Sequence, residues 1–357
     1  MAIDRRLFLK ASATLGLTPI GAIAAADGQP AFVAARRYGD SYSIAVIDSA
    51  GRVVFSEPLS SRGHAIAVSP ERNTAVLFAR RPGTFAIAVD LANRRSIGAF
   101  APPANRHFYG HGLYSGDGRL LFATENDFEN ERGVLGVYDV GAGFRRIGEF
   151  DTHGIGPHEA ILMRDRRTIV VANGGIATHP DFARQQLNIP TMAPSLAYLD
   201  AGTGDLIEET ALPDAYHQLS IRHIAEAADG TIWFGGQYEG GGFDPVALVG
   251  THRLGGAPAL VGAPDGYTAM RHYIGSVAVS GDRQRVAVTS PVGGRVLVFD
   301  ATSRNLIDQW ATSDVSGVAP SGTGFITSDG SGKLWHGRRL IGETADTAWD
   351  NHITAVG

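Results

Sequence analysis

The feature that most constrains this chain is a repeat whose two incomplete copies complement each other. One unit runs as a histidine on a short apolar strand, a Ser-Pro or Asp-Gly turn, a second strand, a third strand closing on Asp, and a fourth strand. It starts at His64 (HAIAVSPERNTAVLFARRPGTFAIAVDLANRRSIGAF) and returns at His111, His158, His223 and Ser276, with a shortened copy near Gly317. A further copy opens at His352 without its outer strands, and residues 31–58 contain the three strands it lacks. Halves that complement each other in this way predict a closed ring, because joining them removes the exposed edge strands. The expected fold is an all-β, seven-bladed β-propeller of the WD40 or YVTN kind over residues 31–357. A parallel β-helix or tandem sandwiches would not need complementary halves.

The strand reading rests on short apolar runs such as TAVLFAR (74–80), TIVVAN (168–173) and RVLVFD (295–300), broken by turns such as Asp117-Gly118 and Asp229-Gly230. The 46 glycines are scattered as turn punctuation, and no long helical periodicity interrupts the pattern. A net charge of −5 offers no basic field for nucleic acid. With no cysteine, disulfides, thiolate metal sites and iron–sulfur clusters are excluded, so any metal must sit on nitrogen and oxygen ligands.

Residues Asp4-Arg5-Arg6-Leu7-Phe8-Leu9-Lys10 match a twin-arginine export pattern, followed by a mildly apolar stretch from Ala11 to Ile23 and alanines suited to cleavage. A signal peptide is therefore expected over 1–26, with the mature protein exported already folded to the periplasm. The apolar run is too short and too interrupted to span a membrane.

Aligning the repeats places His64, His111, His158, His223 and His352 at one register, just before the innermost strand, with Ser276 and Gly317 in the other two blades. Inner strands line the axis of a propeller, so these five of the twelve histidines should converge on one mouth of the channel. Converging neutral imidazoles suit iron, copper or zinc. The competing reading is that they cap turns and bridge blades. Glu159, Glu125 and Asp127 could add oxygen ligands and shift the preference toward iron. His107, His153, His217 and His272 are expected in loops on the same face, and Arg62, Arg222 and Arg271 at the rim. These arginines either form inter-blade ion pairs or clamp an anionic ligand. His179 lies in an insertion between Asn173 and Ser195 that could fold over the mouth, while His252 and His336 are expected at the surface. No G-x-S-x-G elbow, P-loop or H-E-x-x-H occurs.

The segments YGHGLYSGDGRLLFATENDFENERGVLGVYD, GIGPHEA, VANGGIATHP, PSLAYLD and QLSIRH make the mature chain resemble a family of bacterial twin-arginine-exported propellers known only as a domain of unknown function. Its members are often encoded beside imelysin-like iron-uptake lipoproteins and a di-haem peroxidase-like protein. The resemblance thus implies a periplasmic role near iron acquisition, with iron-uptake proteins as partners. The leading expectation is an accessory metal-binding propeller holding iron or copper. The alternatives are a metal-dependent enzyme (redox or lactonase-like hydrolase) on the same site, and an interaction scaffold with structural histidines.

Overall fold

A computed structural model describes residues 28–182, 185–241 and 246–356. The expected signal peptide lies outside the described residues. Among them are seven four-stranded antiparallel sheets, each a blade. Their innermost strands are Gly63–Val68, Arg106–Tyr114, Pro157–Leu162, Leu219–Glu226, Ser276–Val279, Val315–Ser321 and Thr347–Ala355. The blades are named below by their axial residue: His64, His111, His158, His223, Ser276, Gly317 and His352.

The ring closes as the complementary halves predict. Strand Thr347–Ala355 pairs with Pro30–Tyr38, in register Phe32↔Ala355, Ala34↔Ile353 and Arg36↔Trp349, and Ser41–Asp48 and Val53–Leu59 complete that sheet. Middle strands are covered by neighbouring blades on both faces, so they read as continuous apolar runs. TIVVAN over Thr168–Asn173 is buried throughout, whereas the outermost Leu306–Ala311 alternates between partly buried and exposed. Between adjacent blades Phe78 and Val76 of the His64 blade meet Phe108, Leu121 and Tyr138 of the next. A fully buried Phe contributes roughly 2 kcal/mol in such a setting.

The Asp that closes the third strand of the repeat has a structural task. Carboxylates of Asp48, Asp90, Asp139, Asp200 and Asp300 accept backbone N–H groups of the following turn, from Ala50, Asn93, Ala142, Gly202 and Thr302 respectively. In the His223 blade that place falls to His252. The surface position expected for it is wrong: it is 1% exposed, pairing its Nδ1 with the Tyr198 hydroxyl at 2.7 Å and its Nε2 with the Gly256 carbonyl at 3.0 Å. His336 ends the third strand of the Gly317 blade and is exposed.

A short α-helix, Pro264–Met270, and three single-turn 3-10 helices among the described residues were not predicted by the strand pattern. Pro264 begins the α-helix with its φ already suited to a helix, and Arg271 stops it in the left-handed region at φ 52°. No helix among the described residues is long and apolar enough to cross a membrane.

Candidate metal centre

The histidines stand within the inner strands rather than before them, and β-bulges place them. In the His64 blade the ladder steps from Gly63↔Ala79 to Ile66↔Leu77, so His64 and Ala65 share one partner position. In the His111 blade three residues, Tyr109, Gly110 and His111, sit between Phe108↔Glu125 and Gly112↔Ala123. His158 is itself the extra residue of its blade, and Arg222 precedes His223 as the extra residue of the next. In the closing blade Asp350, Asn351 and His352 fill the gap between Trp349↔Arg36 and Ile353↔Ala34. The Ser276 blade has a regular ladder there. An unpaired residue in a bulge turns its side chain away from the alternation of the strand. Here five imidazoles are turned toward the axis.

Bulging allows very close approach. Gly110 adopts φ 106°, and a Cβ there would stand 2.6 Å from His64 Cδ2. Only glycine satisfies both the backbone and the neighbouring ring.

The ring centroids form a four-membered loop with a fifth at its middle. His64–His158, His158–His223, His223–His352 and His352–His64 are separated by 5.9, 4.8, 4.8 and 4.6 Å. His111 stands 5.0, 4.8, 5.6 and 4.7 Å from His64, His158, His223 and His352. Two ligand groups follow, His64/His111/His158 and His111/His223/His352, each with one nitrogen per residue within 4.8 Å of the others. His111 belongs to both.

Outer groups orient four of the rings, all but His158. His64 Nδ1 lies 3.1 Å from Asp350 Oδ1, and Asp350 is itself bonded by Arg62 and, at 3.5 Å, by Arg80. Glu159 stands between His223 Nδ1 at 3.3 Å and His111 Nδ1 at 3.7 Å, and accepts the Ile224 backbone N–H at 3.0 Å. The Ser276 hydroxyl is 3.4 Å from His352 Nδ1, so the blade without the histidine still serves the cluster. Carboxylate or hydroxyl groups on one imidazole nitrogen, leaving the other free, are the usual outer shell of a metal-bound histidine.

Burial lowers the pKa of all five, with further lowering from neighbouring histidines or from Arg222; His223 and His352 are brought down to about 3. They are therefore neutral at pH 7, the state that binds metal. Burial also pushes Glu159 up to about 7, although part of its side chain still reaches solvent. Three buried nitrogens, His111 Nε2, His158 Nδ1 and His352 Nε2, have no hydrogen-bond partner. Each such atom costs roughly 1–3 kcal/mol. A first-row transition ion would satisfy them, and the donor set fits one.

The cluster opens to a cavity of about 390 Å³ lined by His64, His158 and His223 together with Arg80, Arg81, Arg222, Arg271 and Glu239. Arg222, Arg271 and His272 line this cavity, and the insertion reaches it through Gln186. His153 and His217 are exposed and do not line it.

Three of the expected additional ligands are placed elsewhere. Glu125 and Asp127 lie on the opposite face of their strand from Thr124, whose hydroxyl donates to the His111 carbonyl at 3.1 Å. Glu125 accepts from the Tyr138 hydroxyl at 2.6 Å and Arg146 at 3.0 Å, and Asp127 pairs with Arg106 and Arg132 at 3.1 and 3.0 Å. Both are occupied as structural anions. His107 is buried within the inner strand, with its Nδ1 2.9 Å from the Phe108 carbonyl and its Nε2 3.1 Å from Asn126. Neither ring nitrogen is left for a ligand. Asp350 and Arg80, conversely, escaped the sequence reading. The signal for Asp350 was its place in the DNH phrase two residues before His352.

No curated protein matches this chain. Among solved structures, hydrazine synthase of Kuenenia stuttgartiensis is similar at 14% identity and a TM-score of 0.63, over 87% of this chain and 95% of that one. At that identity the likeness concerns the fold alone. Residues 57–356 match the family described as "Protein of unknown function (DUF1513)", and the chain belongs to that family.

Proposed function

We propose that this protein is a periplasmic metal-binding propeller, accessory to iron acquisition, whose ion sits on imidazoles of the His111-centred cluster. The observation that carries the reading is the set of three buried nitrogens without partners among five neutral rings, four of them oriented by outer carboxylates or a serine. Structural histidines that merely bridge blades would be expected to use those atoms. The loss of Glu125 and Asp127 as ligands leaves the choice of iron over copper resting on Glu159 and on the family resemblance. The twin-arginine pattern of residues 4–10 supports the proposed periplasmic location.

Elemental analysis of protein exported in a native host tests the reading. The expected result is stoichiometric transition metal that disappears in the His111→Ala, His158→Ala double variant. Trace metal in the parent protein, or unchanged metal in the double variant, would sink it.

A second reading, a metal-dependent redox enzyme or hydrolase, is favoured by the cavity over His64, His158 and His223. An open coordination position is the requirement. Azide added to metal-loaded protein should shift the metal's absorption spectrum if that position exists; an unchanged spectrum excludes it.

A further inference from the structure

The cavity above the histidines carries the opposite charge balance from the chain as a whole. Net charge is −5 over the sequence, yet four arginines and a single carboxylate line this space. Arg80 is committed to Asp350. Arg222 is more than nine-tenths buried, and Glu239 takes only its Nη2, at 3.3 Å. Its buried Nε has no partner. Half-buried Arg81 stands near enough to Arg222 for the two to repel, and burial followed by that repulsion lowers its pKa. Like charges are held together in one recess, and Glu239, the single carboxylate lining it, offsets only part of that repulsion. Gln237, Asn351 and Tyr109 add neutral polar groups to the wall.

We propose that this cavity binds a small oxyanion carrying at least two negative charges, held by the Arg81 and Arg222 guanidiniums in the space that His64, His158 and His223 also line. A guanidinium presents parallel donors that match carboxylate and phosphate oxygens, and a recess focuses their field. The volume of about 390 Å³ is at the small end of ligand pockets and suits a compact anion. The inference goes beyond metal binding and does not depend on it, because the arginines are charged whether or not an ion is present.

The test is calorimetric titration of metal-free full-length protein with inorganic phosphate and with malonate, at fixed ionic strength against a chloride control. Saturable binding of either is expected, and the tighter of the two identifies a phosphoryl or a carboxylate ligand. Arg81→Gln and Arg222→Lys should each weaken it at least tenfold. Arg81 is half-buried, so its variant keeps the test valid if Arg222→Lys fails to fold. His111→Ala, which does not line the cavity, should lose metal and retain the anion, so that failure of one reading is told apart from failure of the other. Phosphate and malonate binding no better than chloride, or unaltered affinity in Arg81→Gln, overturns the proposal.

Discussion

Two clusters of polar groups lie near each other in this molecule, and they are built on opposite terms. Between the strands of the His111 blade, Glu125, Asp127 and Glu149 meet Arg106, Arg132 and Arg146, with the Tyr138 hydroxyl closing the set. Every carboxylate there has at least two donors, and despite burial the arginines hold Glu149 down to about 2. At the axis four of the five histidines share two carboxylates and one serine, and three nitrogens go without. A satisfied network specifies a structure and asks for nothing more. A starved one keeps its cost until something binds.

Acid should separate the two regions most strongly. Unfolded histidines take up protons below about pH 6.5, whereas these folded ones resist until far lower pH, His223 and His352 until about 3. Stability therefore falls as pH drops through 6.5, by up to about 1.4 kcal/mol per pH unit for each histidine. Glu159, raised to about 7, works the other way, because the folded carboxyl accepts a proton before the unfolded one does. For metal-free protein we expect a net loss of up to roughly 7 kcal/mol between pH 7 and 5, read from urea midpoints. A flat profile over that range would mean the cluster is solvated.

The arginine network should break under mutation. Glu125→Ala leaves Arg106, Arg146 and Tyr138 facing a hole and should cost about 3 kcal/mol in chemical denaturation. Metal content per folded chain should stay the same. A parallel loss of metal would show the two regions to be one unit. The smallest effect concerns the outer shell: Asp350→Asn keeps the shape but removes the charge beside His64. Metal affinity should drop roughly tenfold to a hundredfold in competition with a chelator. Unaltered affinity would remove His64 from the ligand set and leave the His111/His223/His352 group.

The ring was legible in the sequence because a propeller repeats its turn chemistry: an Asp that caps the third strand recurs at Asp48, Asp90, Asp139, Asp200 and Asp300. The shared register of the five histidines was legible for the same reason. The bulges were not, since an extra residue in one strand leaves no mark in composition. That is why the histidines were expected ahead of their strands. Glu125 and Asp127 show the limit of reading residue types without facing: both belong to a strand near the mouth, but the alternation of that strand turns them to the arginines. Asp350 and Arg80 meet only through closure of the ring, across 270 residues.

That closure has a consequence for when the site can exist. His64 and Asp350 touch across 286 positions of chain, and His352 reaches its neighbours only once Thr347–Ala355 has zipped onto Pro30–Tyr38. An incomplete ring holds at most four of the five imidazoles and lacks the anion that steers His64. An ion bound there would act as a clasp on the seam, adding its binding free energy to the last docking step and to no earlier one. Occupancy of the cluster would then double as a readout of whether the circle has shut.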